Sequence, residues 1–398
     1  MKRLSLLRYS ILLLAVFFSS AIKAEIKVGV PLPLTGSISE LAAVMKQGTV
    51  LAAKQINEQG GVLGQPYSLV FEDDACNPDT AVDVVTRLIK EVEVSAIIGS
   101  VCSGVTLRHT RSVSIPAGVV TLSSGSASFM LTNLRDNDLV FRTAISDSFN
   151  GEALADYAVA NGIKEISISF ATDAYNTSIA TVFRKAFVAK GGKIVINQTH
   201  QPNRLSYKRE VSALMSGSKN LALFAYYGSS GIQMLKDVHA TGEVQHILAA
   251  GGMLAQEVID ELGDEALKPM SILNSTVDKD SQGFNAWQAV ADDAKVASTT
   301  LVANTYDVAF MIALAIQAAG SAERDGISAG LRAISGPEGE PIYAGEFAKA
   351  KAILAAGGKI NYEGASGPVD FDKNGDVSGI ISVSKVKDGR WDAQMLPK

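Results

Sequence analysis

The sequence is poor in the side chains that most enzymes use for catalysis or metal binding. Among its 398 residues there are two cysteines and four histidines. The histidines are scattered through the chain without metal-ligand spacing, at His109, His200, His239 and His246. His109 stands beside Arg108 in a predicted helix, and we expect it at the protein surface. The sequence therefore predicts no metal site and no cofactor.

Three motifs of common α/β enzymes are also missing. The sequence contains no Gly-Lys-Ser/Thr phosphate loop, no Gly-x-Ser-x-Gly nucleophile elbow and no Gly-x-Gly-x-x-Gly dinucleotide fingerprint. Each motif supplies a group that its chemistry needs, such as phosphate-binding N–H groups or an exposed nucleophile. We therefore expect that the protein is not an enzyme.

Basic clusters and long internal apolar segments are scarce as well. The formal net charge is −5, and no run of lysines and arginines occurs. An acidic chain of this kind argues against nucleic acid or anionic lipid as a partner. Beyond the N-terminus, no segment has the roughly 18 consecutive apolar residues of a membrane-spanning helix. The nearest candidate, residues 308–319, is predicted to be a buried helix, and we expect no direct membrane insertion.

The chain begins with a segment typical of a cleavable secretory signal. Basic residues lie within the first eight positions, residues 11–18 form an apolar run, and small residues follow. Cleavage after Ala21 or after Ala24 fits this pattern. We favour Ala24, since Glu25 then opens the mature chain just before a predicted strand. The sequence thus predicts a signal peptide over residues 1–24. No cysteine lies near the junction, so the mature protein is not expected to be a lipoprotein.

The two cysteines, Cys76 and Cys102, are consistent with an exported protein. An even pair in an oxidising compartment usually forms a disulfide. Closing this loop would lower the entropy of the unfolded chain, which stabilises the fold by about 3.5 kcal/mol. Two unpaired buried thiols are an alternative. A metal site is disfavoured, because no histidine or further cysteine stands at ligand spacing from either one.

Strand and helix periodicity alternate along nearly the whole chain. Residues 26–32 alternate as a strand, apolar residues then recur at helical spacing up to Gly60-Gly61, and residues 80–92 carry one apolar stripe. Repeated β-α units specify parallel sheets covered by helices on both faces. About 374 mature residues exceed one comfortable core and predict two domains. Further strands are predicted at residues 68–71, 96–99, 119–122, 165–171, 193–197, 221–226, 246–250 and 271–273.

Three loops that follow predicted strands are rich in glycine and hydroxyl groups: residues 33–37, 100–104 and 123–128. In parallel sheets, the loops after the carboxyl ends of the strands form the ligand site. Free N–H groups and hydroxyls there suit a carboxylate or another strongly polar group. Ser103 is placed to cap the helix after its loop, and capping alone could explain any one of these serines. Their recurrence in consecutive units favours a binding site.

Several motifs occur in an order that identifies a family. They are Thr35-Gly36, Ile56-Asn57 with residues 60–64, residues 72–78, Cys102-Ser103 and residues 367–376. On these motifs the chain resembles the type I periplasmic solute-binding proteins of the branched-chain amino acid transporter class. The resemblance covers nearly all of the mature sequence, and the placement of the two cysteines is similar.

The resemblance implies an α/β fold of two lobes, each a doubly wound, mostly parallel sheet flanked by helices, joined by three hinge crossings. The crossings are expected near residues 142–144, 274–277 and 363–367. The lobes are then an N-terminal lobe of residues 25–143 with 277–365 and a C-terminal lobe of residues 144–276 with 366–398. Tyr306 and Asp307 either orient a hinge strand or simply belong to the end of a helix.

The family function follows from closure of the lobes over a small ligand. The closed form is the signal that an ABC-type membrane permease reads. The resemblance therefore implies a periplasmic, monomeric solute-binding component of an importer. A ligand-sensing subunit for a separate membrane signalling receptor is the alternative, and the sequence does not decide between them.

Candidate ligand-binding residues of the first lobe come from the family pattern. Ser103 fills the place of a serine that holds the ligand carboxylate. Ser126 and Ala127 belong to the next loop, where Ala127 stands at the position of a threonine. Leu41 replaces an aromatic residue that covers the ligand. The resemblance thus implies a carboxylate site with two departures from the family.

The second lobe departs further. Tyr175 and Tyr227 match two tyrosines that reach the ligand, although either could be an ordinary packing residue. Gly251 stands where a glutamate pairs with the ligand ammonium. A buried ammonium without a counter-charge costs several kcal/mol, so a carboxylate-bearing ligand without an amine suits these residues better. Branched-chain amino acids follow closely, because Asp173 or Glu257 could supply another acid.

Overall fold

The computed structural model describes residues 25–396, and the expected signal segment lies outside them. The strands are β1 Ile26–Leu32, β2 Tyr67–Asp73, β3 Ala96–Gly99, β4 Thr121–Ser123, β5 Val140–Arg142, β6 Glu165–Ala171, β7 Lys193–His200, β8 Asn220–Phe224, β9 His246–Ala250, β10 Met270–Thr276, β11 Glu340–Ile342, β12 Ile360–Gly364, β13 Gly367–Pro368, β14 Ile380–Lys387 and β15 Arg390–Met395. The helices are α1 Ser39–Glu58, α2 Pro78–Lys90, α3 Ser103–His109, α4 Phe129–Thr132, α5 Asp147–Ala160, α6 Ala174–Ala189, α7 Lys208–Gly217, α8 Ile232–His239, α9 Gln256–Leu267, α10 Gln282–Ala294, α11 Thr300–Ala319, α12 Arg324–Ile334 and α13 Phe347–Ala355. Short helical turns cover Thr110–Ser114, Tyr227–Gly231 and Gly251–Met253.

Every strand that the sequence predicts is present. The helix predicted over residues 80–92 is α2, which starts two residues earlier because Asn77 caps it. The Asn77 side chain accepts the N–H groups of Asp79 (2.9 Å) and Thr80 (3.1 Å). Pro78 takes the first helical position, where its missing N–H is not needed. Element type is therefore set locally, and the ends of the predicted strands and of α2 shift by at most three residues, as in β7 and β10.

The first lobe contains a five-stranded, all-parallel sheet in the order β2-β1-β3-β4-β5. Helices α1 and α11 contribute to the core on one face, while α2 contributes to a separate apolar cluster on the other. Since α11 comes from the later part of the chain, this lobe is discontinuous in sequence. A smaller sheet, β11-β12-β13, also belongs to it.

Helix α11 confirms the buried helix predicted around residues 308–319. It is the one helix within residues 25–396 that is long and apolar enough to cross a membrane, and it is mostly buried in the first lobe. It packs tightly against α1, where a side chain at Gly48 would lie 2.3 Å from the Val302 carbonyl. Glycine at that position allows the two helices to approach closely.

The second lobe contains a seven-stranded sheet in the order β15-β14-β10-β9-β8-β6-β7. Strands β6 to β10 pair in parallel, and β14 and β15 add an antiparallel edge. Separate apolar clusters lie on its two faces, one with α7, α8 and α9 and the other with α5 and α6. Both lobes are thus doubly wound α/β layers, as the sequence predicts.

The chain crosses between the two sheets three times: after β5, after β10 and between β13 and β14. Asp307 of α11 fixes the start of the third crossing. Its carboxylate accepts the Tyr362 hydroxyl (2.6 Å), the N–H groups of Ala365 and Ser366 (both 2.8 Å) and the Ser366 hydroxyl (2.5 Å). Burial raises the pKa of Asp307 to about 6, although these hydrogen bonds oppose the rise. Of the two roles considered for Asp307, orienting a hinge segment is confirmed.

The segment between β13 and β14 packs on the first sheet before it crosses. The Phe371 ring lies 5.0 Å from the Phe141 ring. Asp376 forms a two-pronged ion pair with Arg142, at 2.7 and 2.8 Å. Residues up to Val377 therefore extend the first-lobe core.

Cys76 and Cys102 form the predicted disulfide, with Cα atoms 5.7 Å apart. The bond ties the loop after β2 to the start of α3. The expectation for His109 was wrong, because its side chain is fully buried. Helix α3 packs against both α2 and α6, so a residue beside the exposed Arg108 still faces protein. Burial lowers the pKa of His109 to about 3.

Candidate functional site

The loops after the first sheet face the second lobe across a narrow cleft. A side chain at Gly228 of the second lobe would lie 2.7 Å from the Ser37 carbonyl of the first. The Ser178 hydroxyl oxygen accepts the N–H of Phe129 (3.0 Å), which joins the lobes at another point. The two lobes are therefore in contact, and groups in the cleft are shielded from water.

Ser103 lies at the first position of α3, and the prediction that it caps this helix was wrong. Cys102 takes the capping position and forms no side-chain cap. The Ser103 Oγ instead accepts the N–H of Ser128 (3.1 Å), which leaves its hydroxyl proton available to a ligand. The first N–H groups of a helix have no intrahelical acceptor. Ser103 can therefore offer a hydroxyl and a backbone N–H to a carboxylate.

The following loop presents its backbone rather than its serine side chains. Ser126 is buried, and its hydroxyl bonds the Ser100 carbonyl (2.9 Å) and the Thr106 hydroxyl (2.8 Å) inside the first lobe. The Ala127 carbonyl accepts the N–H of Asp147 (2.7 Å). The Ala127 N–H has no partner within residues 25–396. The backbone of Ala127 is thus free to bind a ligand although its side chain carries no hydroxyl.

Arg142 holds this loop in place from behind. It is fully buried, and its Nη1 donates to the carbonyls of Ser126 (3.3 Å) and Ser128 (2.8 Å). Its Nε and Nη2 bind Asp376, and Nη2 also reaches the Thr132 hydroxyl (2.6 Å). A bidentate pair of this kind fixes geometry as well as charge. The positive charge of Arg142 is therefore already neutralised by Asp376.

The second lobe brings Tyr175 and Tyr226 together, rather than Tyr175 and Tyr227. The rings of Tyr175 and Tyr226 stack with centroids 5.6 Å apart. Burial raises the pKa of both hydroxyls, and the negative charges of Asp147 and Asp173 raise them further. Tyr227 packs against the second-lobe core, and the charge of Glu40 in the first lobe also acts on its hydroxyl. Strand β8 ends at Phe224, and the helical turn that follows decides which of the two adjacent tyrosines faces Tyr175.

The position of the family glutamate is occupied by another side chain. A Cβ at Gly251 would lie 2.4 Å from the Asn274 Oδ1, so a larger residue there would displace Asn274. Gly252 is also confined, since its Cβ would lie 2.7 Å from the Ala225 carbonyl and 3.3 Å from the Tyr175 ring. The sequence pattern did not indicate a binding role for Asn274. It placed this residue only within the expected second crossing. This part of the cleft is polar but uncharged.

The remaining candidates lie at different places in the site. Leu41 is half-buried against the first-lobe core. Asp173 caps α6, and its two oxygens bind the Asn176 N–H (3.0 Å) and side-chain amide (2.7 Å). Glu257 is half-buried, and its charge raises the pKa of Tyr227 after the larger effect of burial. Neither acid therefore stands free beside the stacked tyrosines.

Asp147 is the acid that the sequence reasoning missed. It opens α5 immediately after the first crossing and is fully buried. Burial raises the pKa of Asp147 to about 7; the Ser178 hydroxyl and the Arg142 charge lower it in part, and the Asp173 charge raises it. Although Ser178 lies beside it, neither carboxylate oxygen makes a well-formed hydrogen bond within residues 25–396. A buried carboxylate without a partner is costly, and such groups concentrate at functional sites.

A cavity of about 220 Å³ lies at the hinge, and none of the candidate residues above belongs to its wall. Its wall includes the buried Thr143 Oγ1 and Asn304 Oδ1, which have no hydrogen-bond partner in the described part of the chain. The volume exceeds the roughly 30 Å³ of one water molecule, so ordered water can satisfy them. All three crossings contribute to the wall, with Thr143, Ser275, Thr276, Ser366 and Gly367 among its residues.

Comparison with known proteins places the chain in one family. A model of the periplasmic binding protein family matches residues 25–390. The chain is 27% identical to the Leu/Ile/Val-binding protein homolog 3 of Brucella melitensis over 311 residues. These residues cover 77% of this chain and 82% of that protein. It is 24% identical over 370 residues to a chemotactic signal transduction system substrate-binding protein of Halobacterium salinarum, covering 87% and 83% of the two chains.

Solved structures share the fold. A leucine-binding protein from Thermotoga maritima superposes with a TM-score of 0.79 at 24% identity, over 93% of this chain and 97% of that one. A solute-binding protein of an ABC transporter from R. palustris, in complex with benzoate, superposes with a TM-score of 0.76 at 18% identity, over 94% and 96%. At these identities the likeness concerns the fold, and one fold carries both an amino-acid binder and a protein holding an amine-free acid.

Proposed function

The chain belongs to the periplasmic binding protein family, and on that premise we propose how it recognises its solute. It is the solute-binding component of an ABC-type importer and captures an amino acid or related organic acid between its lobes. The ligand carboxylate binds the Ser103 hydroxyl and the backbone N–H groups of Ser103 and Ala127. The free Ala127 N–H beside an uncommitted Ser103 proton is the observation that carries this proposal.

The rest of the ligand contacts the second lobe. Tyr175 and Tyr226 form an aromatic wall, and Asn274 supplies a neutral polar group. Leu41 covers the ligand from the first lobe, in the place of the family's aromatic residue. Tyr227 supports this wall from the second-lobe core and does not itself bind the ligand. A cleft with a polar end and an apolar wall suits a small molecule with one carboxylate.

The experiment that tests the proposed function is a titration calorimetry panel on ligand-stripped protein. The panel contains the twenty amino acids and amine-free acids of matched carbon skeleton, including leucine and 4-methylpentanoate. We expect at least one compound with a carboxylate to bind with 1:1 stoichiometry. Absence of binding by every carboxylate, together with binding by an uncharged solute, would refute a carboxylate-based site.

A sensing role is the second candidate function, favoured by the similarity to the chemotactic substrate-binding protein. Closure over a ligand serves a receptor as well as a permease. Reconstitution with the permease separates the roles. Ligand-dependent stimulation of ATP hydrolysis supports transport, and its absence together with binding to a signalling receptor supports sensing.

We also propose that the protein acts in the periplasm as a monomer after cleavage at Ala24, without inserting into the membrane. The lobe boundaries expected from the sequence need one adjustment. We place residues 366–377 with the first lobe, because Phe371 and Asp376 contact Phe141 and Arg142 there. The second lobe then takes residues 144–276 with the segment from 378 onward.

A further inference from the structure

We propose that the Asp147 carboxylate binds the ammonium group of the ligand, so that this protein selects zwitterionic amino acids over amine-free acids. The inference rests on the proposed function and identifies its ligand class. It reverses the preference that the sequence suggested, in which the absence of an acid at position 251 favoured a ligand without an amine.

The position of Asp147 is the first step. Its N–H donates to the Ala127 carbonyl (2.7 Å), which places its backbone beside the loop proposed to hold the ligand carboxylate. Its charge acts on Tyr175 and Tyr226, so the carboxylate lies near both rings of the aromatic wall. Asp147 is thus close both to the proposed carboxylate site and to the wall. The ammonium and carboxylate of an α-amino acid are separated by a single carbon atom.

The charges around Asp147 are the second step. Arg142 is the cation that acts on it, and Arg142 already holds Asp376 and two loop carbonyls. Asp173 is a like charge whose two oxygens bind Asn176. Tyr175, Tyr226 and Ser178 are neutral. No group packed against Asp147 therefore supplies an uncommitted positive charge, and the ligand is the remaining source.

The third step is the place where the family glutamate is missing. The N–H of Gly252 donates to the Tyr175 hydroxyl, and Tyr175 also lies within the field of Asp147. Gly252, the neighbour of Gly251, and Asp147 thus both act on the same tyrosine. Since Asn274 occupies the space beside Gly251, an acid at position 147 can take over the role from a neighbouring direction.

The test compares wild type with Asp147→Asn, using leucine and 4-methylpentanoate as a pair that differs in the amine, within the full panel of twenty amino acids. For every amino acid that binds wild type, we expect Asp147→Asn to weaken binding by at least about 30-fold. This is the effect of truncating one member of a buried charge pair. Binding of amine-free acids should change less than threefold. Asp156 is an exposed acid on the same helix, and Asp156→Asn is the matched control. This control should change the affinity for neither amino acids nor amine-free acids.

Two outcomes overturn the proposal. Amino-acid affinity within threefold of wild type in Asp147→Asn would remove the ammonium contact. Tighter binding of amine-free acids than of amino acids by wild type would do the same, while the proposed carboxylate site would stand. If no carboxylate binds at all, the proposed function fails together with the inference.

A measurement on wild type alone keeps the proposal testable if the variant does not fold. Because burial holds the ligand-free carboxyl largely protonated at pH 6, pairing with an ammonium must expel that proton. Calorimetry in buffers of different ionisation enthalpy should show release of about one proton per amino acid at pH 6, and much less at pH 8.5. Zero release at pH 6 would contradict the ammonium contact.

The stability of the ligand-free variant separates binding from a purely structural role. Asp147 must ionise against its burial at pH 8, whereas asparagine need not. Asp147→Asn should therefore unfold at a higher temperature than wild type at pH 8 without ligand. A lower unfolding temperature, combined with an equal loss of affinity for both ligand classes, would indicate a structural role instead.

Discussion

The two sides of the cleft are built in opposite ways. On the first lobe, serine hydroxyls bond one another and nearby carbonyls, and the free groups are a hydroxyl proton and backbone N–H groups. On the second-lobe side, the stacked rings of Tyr175 and Tyr226 lie near the buried Asp147 carboxylate, which has no hydrogen-bond partner in the described chain. The free groups of the first lobe suit an anion, and the unpaired carboxylate on the second-lobe side suits a cation. In the proposed mode of binding, affinity for the carboxylate and selectivity for the amine are thus placed on different lobes.

The lobes also differ in how they are stabilised. The first lobe carries the Cys76–Cys102 disulfide next to its anion-binding loop, and the second lobe contains no cysteine. Helix α3, which begins at Ser103, therefore follows directly on a cross-linked residue. The second lobe depends on apolar clusters on the two faces of its sheet.

Removal of the disulfide should have the largest effect, because it should destabilise the first lobe and leave the second unchanged. Replacing Cys76 and Cys102 by alanine should lower the free energy of unfolding of the first lobe by about 3.5 kcal/mol, because the unfolded chain regains the entropy of an open loop. Hydrogen exchange measured by mass spectrometry should show faster exchange in β1 to β5 and α11. Equal acceleration in β6 to β10 would show that the lobes unfold as one unit.

Ser103→Ala should have an intermediate effect, confined to ligand binding. Loss of a hydrogen bond to a charged carboxylate corresponds to about 1.5–3 kcal/mol, or roughly 10- to 150-fold in Kd. In calorimetry, the affinity for amino acids and the affinity for amine-free acids should fall by the same factor. In Asp147→Asn, by contrast, only the affinity for amino acids should fall strongly. Ser216→Ala, an exposed serine on α7, is the matched control. Unequal losses for the two ligand classes would contradict the division of roles between the lobes.

The smallest effect concerns acid stability. Burial lowers the pKa of His109 in the first lobe to about 3 and that of His200 in the second to about 4. Both stay neutral when folded and take up a proton when unfolded, so each contributes stability above pH 6.5 that is lost as pH falls towards its folded pKa. His200 hydrogen-bonds through both ring nitrogens, whereas His109 bonds only Ser114.

His109→Asn removes the titration and can keep the bond to Ser114. We expect the free energy of unfolding to fall less steeply between pH 6.5 and 5, by up to about 1.4 kcal/mol per pH unit. Urea denaturation across this range measures the slope. Asp147 and Asp307 act in the opposite direction, since a raised acid pKa favours the folded form at low pH, and they are unchanged in both proteins. An unchanged slope would show that His109 is protonated in the folded protein.

Within residues 25–396, the sequence predicted nine of the fifteen strands, because the periodicity of each depends on neighbours within a few residues. It missed the short strand β5 and the later strands β11 to β15. It failed where a side chain answers to distant contacts. Helix α3 was recognised, but the burial of His109 depends on α6, more than 60 residues away. Ser103 looks like a helix cap locally, yet its oxygen serves the N–H of Ser128 in another loop. Tyr226 and Tyr227 are identical in type, and the end of β8 decides between them.

By itself, the sequence determined the alternation of β and α elements, the paired cysteines, the buried helix α11 and the family, because periodicity and ordered motifs are local properties. Only the tertiary structure decided which acid stands unpaired in the cleft. Asp147 looks like any other acidic residue at the start of a helix. The function proposed for it depends on its burial by residues that are distant in sequence, and burial is a property of the assembled structure rather than of any segment.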